Sequence, residues 1–174
     1  DHPDNNKAYT NAILYRQEVP FKSKGFCTDV FFDQARQWIA SQVKQDKKFF
    51  ACITPNAPHS PFHDVPKEKL DYYKRLDWSN HKGSAPEKTC AIYAMVENID
   101  DNLGKLRHDL KQLGIEKDTL LIYMSDNGGW GERFDTGLRG SKSSAFEGGI
   151  RTPLLFHQAN AKTGETSISG AHYD

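Results

Sequence analysis

The sequence has no excess charge of either sign and no long apolar run. Its 174 residues contain 23 Lys+Arg against 23 Asp+Glu, which gives formal neutrality. Without a global basic field, nucleic acid is a poor candidate for a partner. No apolar run approaches the ~20 residues that a membrane helix requires, so no membrane span is predicted. Apolar residues make up 37% of the chain, which suits a globular domain with a sizeable core.

Cysteine is also scarce. Cys27, Cys52 and Cys90 are odd in number, widely spaced and form no CxxC pair. This pattern favours neither a disulfide framework nor a zinc ribbon, because both need paired cysteines. We interpret all three residues as small core side chains.

The sequence lacks a starting methionine, a charged-then-apolar leader and any evident stop. It begins at Asp1 and ends at Asp174. We therefore expect the chain to be a piece of a longer protein.

Three helices are predicted, two of them from apolar residues that recur at intervals of three and four. The first runs from Thr28, its expected N-cap, to about Gln45. The long one starts at a capping box that begins at Ser84 and stops at Gly114. A short helix between them is expected over 66–75.

Three short apolar runs are predicted to form strands, over 49–54, 119–125 and 152–157. The middle run is continuously apolar, which is typical of a strand buried on both faces of a parallel sheet. Residues 1–26 are polar and are expected to be irregular. The order α-β-α-β-loop-β indicates an α/β fold with a mainly parallel sheet sandwiched by helices.

The strand predicted over 119–125 is followed by Asp126 and Asn127 and then by two glycines. In open α/β sheets, ligand sites lie just beyond the carboxyl ends of strands. A carboxylate beside an amide oxygen suits a hard cation such as Ca²⁺ or Mg²⁺. The glycines would let the backbone leave strand geometry, so that neighbouring side chains reach one ion. Taken alone, the segment favours an ordinary Asp-Asn-Gly turn.

Two other loops carry side chains of chemical interest. His59 is flanked by prolines after the first predicted strand, where a functional histidine would be expected. His63 follows four residues later, but Pro61 argues against a helical zinc pair. Lys142 lies in a Gly- and Ser-rich segment in which amides and an ammonium can approach an oxyanion. Taken alone, His59 favours a surface role and Lys142 a functional one.

The order of these features resembles the sulfatases, a family of the alkaline-phosphatase-like superfamily. The matching stretches are GFCTDVFFDQARQWI, KKFFACITPNAPHSPF, YAMVENIDDNLGKLRHDLKQLG, DTLLIYMSDNGG and LRGSKSSAFEGGIRTPLLF. They extend from about Asn5 to the end, and SDNGG followed by RGxK…EGGIRxP is specific. The resemblance implies that residues 1–174 are part of a sulfatase catalytic domain with an alkaline-phosphatase-like fold, incomplete as a fragment.

The resemblance also implies roles for four residues. Asp126 and Asn127 would bind calcium, with magnesium as the other candidate, and Lys142 and His59 would contact the sulfate. His59 or Lys142 would also protonate the leaving oxygen. A sulfate ester needs its negative oxygens neutralised by a metal and by fixed donors while the S–O bond breaks. The expected activity is hydrolysis of a small-molecule or carbohydrate sulfate ester in a periplasmic, secreted or lysosomal setting.

The family's nucleophile is missing from the sequence. Members carry a formylglycine made from Cys or Ser in a [CS]-x-[PA]-x-R motif. None of the three cysteines begins this motif, and the stretch SAPEK from Ser84 ends in Lys. The resemblance places the nucleophile and the early Asp-Asp metal ligands upstream of Asp1. We therefore expect the isolated chain to be inactive.

Two other functions fit the same residues. Sulfate and phosphate are near isosteres, so a phosphodiesterase or phosphonate monoester hydrolase of the same superfamily is one alternative. A non-catalytic metal-binding domain is the alternative from another class.

Overall fold

The computed structural model describes residues 5, 8–62, 64–79, 86–130 and 137–160. The chain divides into two compact units. We call them the helical unit, which contains residues 1–77 and 86–113, and the C-terminal unit, which contains residues 78–85 and 114–174.

The described elements comprise two strands and three helices in the helical unit, and a 3₁₀ turn, two strands and a short helix in the C-terminal unit. In the helical unit they are β1 (Ile13–Arg16), β2 (Val19–Lys22), α1 (Cys27–Lys44), α2 (Lys67–Lys74) and α3 (Pro86–Gln112). In the C-terminal unit they are a 3₁₀ turn (Glu116–Asp118), β3 (Leu121–Met124), α4 (Glu147–Ile150) and β4 (Leu154–His157).

The three predicted helices are confirmed, with small differences at their ends. Helix α1 begins at Cys27, directly after its extended N-cap Phe26, so Thr28 lies inside the first turn and is fully buried. It is therefore not the N-cap that the sequence predicted. Helix α2 starts directly after Pro66. The capping box predicted at Ser84 lies outside the described residues. None of the described helices is long and apolar enough to cross a membrane.

A hairpin lies where an irregular segment was expected. Strands β1 and β2 pair antiparallel, with Ile13 opposite Lys22. The turn residues Gln17 and Glu18 both have positive φ, at 48° and 68°, as a two-residue hairpin turn with the twist of its strands requires. The prediction failed because the turn carries neither Asn nor Gly, and because Pro20 inside a strand argues against one.

The core of the helical unit lies between α1 and α3. Its buried apolar side chains from these two helices are Cys27, Phe32, Ile39, Cys90, Ala91, Ala94, Met95, Ile99, Leu106 and Leu110. Burial raises the pKa of the Cys27 thiol to about 11. Cys27 and Cys90 are core residues as predicted, whereas Cys52 is exposed and the prediction was wrong for it.

A buried polar cluster fixes α1 against α3. One carboxylate oxygen of Asp29 accepts hydrogen bonds from the side-chain amides of Asn98, at 2.9 Å, and Asn102, at 2.7 Å. Asn98 and Asn102 are 6% and 0% exposed. Buried amide donors need an acceptor, since leaving one unpaired costs about 1–3 kcal/mol. Asp29 therefore selects one rotation and one register for α3.

Ion pairs also connect α3 to α1 and to α2. The Arg36 guanidinium of α1 contacts Asp109 at 2.6 Å. The Lys69 ammonium of α2 lies 3.0 Å from Glu97 and 2.5 Å from Asp101. Burial alone would lower the pKa of Lys69, but the hydrogen bonds to Asp101 and Glu97 outweigh it and raise this pKa. Lys69 therefore stays charged, and α2 is held to the same helix that α1 packs against.

The strand predictions are confirmed for two of the three runs. Strands β3 and β4 lie within the predicted 119–125 and 152–157, and they pair antiparallel with Leu121 opposite His157. Residues 49–54 do not form a strand, and Phe50 is 88% exposed. This run has the composition of a strand, but a strand also needs a hydrogen-bonded neighbour, and the described residues provide none.

The predicted parallel pairing and double burial are not found in the described part of the chain. Both described strand pairs are antiparallel. Ile122 and Met124 on β3 are 48% and 55% exposed, and Phe156 on β4 is 63% exposed. The apolar composition correctly predicted extended backbone, but it carries no information about which strand pairs with which.

The Asp29 cluster leads to a stability prediction. In Asp29→Ala, the amides of Asn98 and Asn102 lose their shared acceptor, and we expect the free energy of unfolding to fall by about 1–3 kcal/mol. The matched control is Asp33→Ala, which removes the exposed partner of Arg36 on the same helix and should cost at most about 1 kcal/mol. Urea unfolding of both variants measures the difference. Equal losses would show that the buried cluster does not fix the helix pair.

Candidate functional site

Asp126 and Asn127 lie immediately beyond the end of β3, as predicted. The Ser125 hydroxyl donates to the Asn127 carbonyl at 3.2 Å and closes a tight turn. The Asp126 residue is exposed and Asn127 is half-buried. In the described part of the chain, neither side chain has a hydrogen bond or ion pair of its own. Both oxygen-bearing groups therefore remain available to a ligand.

The turn at residues 126–129, which we call the DNGG turn, is bound to the Gly/Ser loop at residues 137–149. The Gly128 amide donates to the Gly149 carbonyl at 2.9 Å. The Lys142 amide donates to the Gly129 carbonyl at 2.8 Å. These two backbone hydrogen bonds bring Lys142 next to the turn that carries Asp126 and Asn127.

The glycines in both segments allow two backbones to touch. A Cβ added to Gly128 would lie 2.0 Å from the Gly148 carbonyl oxygen. A Cβ added to Gly148 would lie 2.1 Å from the Gly140 carbonyl oxygen. The sequence interpretation related the glycines around Lys142 to oxyanion approach, and Gly128 to a backbone that leaves strand geometry. The structure shows a further reason for them, which is direct packing of one loop on the other.

A short turn at Ser141–Ser144 presents Lys142. The Ser144 amide and hydroxyl both donate to the Ser141 carbonyl, at 3.0 and 2.8 Å, and the Ser141 amide donates to the Ser144 hydroxyl at 3.2 Å. Lys142 is half-buried, and its ammonium has no partner among the described residues. The turn thus fixes the backbone of Lys142 and leaves its charge unpaired.

Two other cationic side chains lie close to Lys142 in the sequence, Arg139 within the Gly/Ser loop and Arg151 just after it. The Arg139 guanidinium lies 3.8 Å from the centre of the Phe146 ring, in cation–π geometry. The Arg151 guanidinium pairs with Glu147 at 3.3 Å, one turn away along α4. Sequence reasoning did not single out Arg139, because a loop arginine next to glycines carries no local sign of its aromatic partner. Of the three cations, only Lys142 is without a partner in the residues described.

His59 belongs to the helical unit, in the loop that follows residues 49–54. It is exposed, and its ring Nδ1 lies 2.8 Å from the Ser60 carbonyl oxygen. The structure therefore places His59 in a loop, as predicted, but in a different compact unit from Asp126, Asn127 and Lys142. His63 lies outside the described residues.

The side chains of Asp126 and Asn127 match part of the donor set that a hard divalent cation requires. Asp126 offers a carboxylate and Asn127 an amide oxygen, and both are of the type that Ca²⁺ and Mg²⁺ bind. The described residues contain no group of three or more His, Cys, Asp or Glu side chains that could hold an ion. Calcium takes about 6–8 oxygen ligands. The two residues therefore fit part of such a site, and the other ligands would have to lie outside the described residues.

Comparison with known proteins gives one consistent family. The family model named Sulfatase matches residues 1–170. A sulfatase from Formosa agariphila is 34% identical over 143 residues, covering 74% of this chain and 24% of that protein. An N-acetylgalactosamine-6-sulfatase from Mus musculus is 28% identical over 171 residues, covering 88% of this chain and 30% of that protein.

Solved structures agree with the sequence matches. The crystal structure of Ps i-CgsB in complex with k-i-k-neocarrahexaose has a TM-score of 0.72 and 27% identity to this chain. The alignment covers 86% of this chain and 32% of that one. The predicted α/β, alkaline-phosphatase-like fold class is thereby confirmed. The chain spans about a quarter to a third of the length of these relatives.

The packing of the two loops leads to a second prediction. Gly148→Ala places a methyl group against the Gly140 carbonyl, so the loop must shift and the hydrogen bonds donated by the Gly128 and Lys142 amides should weaken. Amide hydrogen exchange at these two positions should accelerate about tenfold or more, since roughly 1–3 kcal/mol of overpacking strain acts on them.

The matched control is Gly104→Ala on α3, where an added Cβ meets nothing within 4 Å. It should leave exchange at Gly128 and Lys142 unchanged and stabilise the helix by about 0.5–1 kcal/mol. Unaltered exchange in Gly148→Ala would mean that the loop contact is not tight in solution.

Proposed function

Because the chain belongs to the sulfatase family, we propose that it forms part of a catalytic domain that hydrolyses a sulfate ester. The observation that carries the proposal is the pair of backbone hydrogen bonds between the DNGG turn and the Gly/Ser loop. They attach the backbone of Lys142 to the turn that carries Asp126, and neither the Lys142 ammonium nor the Asp126 carboxylate has a partner among the described residues. An anionic substrate and a divalent cation are the partners that this combination suits.

Lys142 and His59 are proposed to act on the sulfate group. The Lys142 ammonium is a compact point charge that can follow the negative charge as it grows on the sulfate oxygens. His59 is exposed, and its second ring nitrogen, Nε2, can when protonated donate a hydrogen bond to a sulfate oxygen or a proton to the leaving oxygen. These roles follow from the motif positions, and the unpaired state of the Lys142 side chain supports them.

Asp126 and Asn127 are proposed to hold calcium or, alternatively, magnesium. When bound, the ion polarises a sulfate oxygen as a Lewis acid. The support is the donor chemistry of the two side chains and their place beyond β3. The formylglycine nucleophile and the remaining metal ligands are proposed to lie upstream of Asp1 in a longer protein, so that residues 1–174 alone would not turn over substrate.

A sulfated carbohydrate is the proposed substrate class. One relative is named for N-acetylgalactosamine-6-sulfate, and one solved neighbour contains k-i-k-neocarrahexaose. The family match also favours sulfate over the phosphate and phosphonate esters that the same loops would fit. No observation on the described residues favours a non-catalytic metal-binding domain. Export to a periplasmic, secreted or lysosomal setting stays a prediction.

The role of Lys142 can be tested in the longer enzyme that contains this chain. Lys142→Ala removes a charge-assisted contact that strengthens in the transition state, so we expect kcat/KM to fall roughly a hundredfold, or about 3 kcal/mol. The melting temperature should change little, because the ammonium has no partner among the described residues. The measurement is paired kinetics on an aryl sulfate and thermal unfolding.

Two further variants sharpen this experiment. Lys142→Arg keeps the charge but changes its shape and reach, and should recover only part of the rate. Lys105→Ala removes an exposed lysine on α3 and should leave the rate unaltered. Near-normal kcat/KM in Lys142→Ala would remove this residue from the site.

Metal binding can be measured separately by titrating the longer enzyme with Ca²⁺. Asp126→Ala removes a charged ligand and should weaken calcium binding more than Asn127→Ala, because a neutral amide oxygen contributes less to binding a divalent cation. Asp100→Ala, which removes an exposed carboxylate from α3, is the control. If both site variants bound calcium like the unmodified enzyme, the metal assignment would be refuted.

A further inference from the structure

The ring of His59 has a defined orientation. Its Nδ1 lies 2.8 Å from the Ser60 carbonyl oxygen. The Ser60 hydroxyl lies 3.4 Å from the same nitrogen. Because a carbonyl only accepts hydrogen bonds, the shorter contact favours the form of the ring in which Nδ1 carries the proton and donates it. The hydrogen bond at one ring nitrogen decides the state of the other. In the neutral ring, Nε2 is therefore the unprotonated atom, and it is the one available to a ligand.

The hydroxyl group of Tyr9 is directed at the same loop, although Tyr9 is about 50 residues away in the chain. It lies 2.9 Å from the His59 carbonyl oxygen and 3.1 Å from the Ser60 carbonyl oxygen, and donates toward both. The Ser60 carbonyl thus accepts hydrogen bonds from the Tyr9 hydroxyl and from the His59 ring. One acceptor connects the buried tyrosine to the exposed histidine ring.

Tyr9 is itself held from several sides. It is 9% exposed, and its ring meets Phe26 edge to face, with 5.7 Å between ring centres and an angle of 87°. Its carbonyl accepts the Cys27 amide at 2.8 Å, at the start of α1. Its amide donates to the Asp64 carboxylate at 2.7 Å. Helix α1 and Asp64 therefore fix the tyrosine, which in turn contacts the His59 loop.

The Tyr9 hydroxyl keeps its proton and therefore remains a hydrogen-bond donor. Burial raises the pKa of Tyr9 above its usual value of 10.0, and the nearby Cys27 thiol adds to this effect. The phenol proton is therefore retained throughout the pH range in which a histidine titrates.

We propose that Tyr9 is a positioning residue for His59: its hydroxyl holds the Ser60 carbonyl, which selects the Nδ1-protonated form of the neutral ring, so that Nε2 is the nitrogen that gains a proton from solvent and donates it to the substrate. This inference rests on the role proposed above for His59. Interactions of this kind orient a reactive imidazole without touching the substrate, and their removal typically costs about 10–100-fold in activity.

The kinetic test uses Tyr9→Phe in the longer enzyme, because this change removes only the hydroxyl. We expect kcat/KM on an aryl sulfate to fall about tenfold, mainly through kcat, while the melting temperature moves little. Tyr72→Phe is the matched control, since Tyr72 is 51% exposed on α2 and its ring contact with Tyr73 does not need the hydroxyl. Its rate should be unchanged.

A double-mutant cycle shows whether Tyr9 acts through His59. If it does, Tyr9→Phe adds nothing to His59→Ala, so that the double variant is as slow as His59→Ala alone. Additive losses, or a Tyr9→Phe enzyme with the normal rate beside a slow His59→Ala enzyme, would overturn the inference. A normal rate in His59→Ala would instead overturn the role proposed for His59.

A spectroscopic measurement tests the orientation without any activity. In the 174-residue chain labelled with ¹⁵N-histidine, the ring nitrogens of His59, identified by its loss in His59→Gln, should show the Nδ1-protonated form. Tyr9→Phe should produce a mixture of the two neutral forms, and Tyr72→Phe should not. A mixture already present in the unmodified chain would overturn the inference, whatever the enzyme hydrolyses.

Discussion

The hydrogen bonds from Asn98 and Asn102 to Asp29 are the constraint on which the helical unit depends. Helix α3 is the longest element and packs against both α1 and α2. A purely apolar seam would tolerate a small rotation or slip of one helix, because apolar packing is non-directional. A half-buried carboxylate shared by two buried amides does not tolerate it, since both amides would then lose their shared acceptor. With α1 fixed, its N-terminal end also has a fixed place, and Tyr9 is attached there.

Both units hold their candidate side chains through the backbone. Lys142 is fixed by its amide and by the Ser141–Ser144 turn. The His59 loop is fixed by the carbonyls of His59 and Ser60, which accept from the Tyr9 hydroxyl. In both loops, the hydrogen bonds that fix the position of the residue involve main-chain groups. The Lys142 ammonium and the Nε2 atom of His59 then have no partner among the described residues, which the sulfate-binding roles proposed for them require.

Sequence reasoning succeeded where the signal was local. The three-and-four spacing of apolar residues placed α1 and α3. It failed where the deciding partner was distant. Residues 49–54 have the composition of a strand but no neighbour among the described residues. The link from Tyr9 to His59 joins positions some 50 residues apart, and nothing in the residues around Tyr9 indicates it.

The position of the DNGG turn depends more on the Gly/Ser loop than on the strand before it. Strand β3 pairs only with β4 among the described residues, and Ile122 and Met124 remain about half exposed. A two-stranded pair with an exposed apolar face is marginal by itself. The hydrogen bonds of Gly128 and Lys142 add a second attachment, and the Gly148 contact leaves the two loops little space to move apart. A larger residue at Gly128 or Gly148 would therefore displace Asp126 and Lys142 together, which explains why the glycines matter as much as the polar residues that they separate.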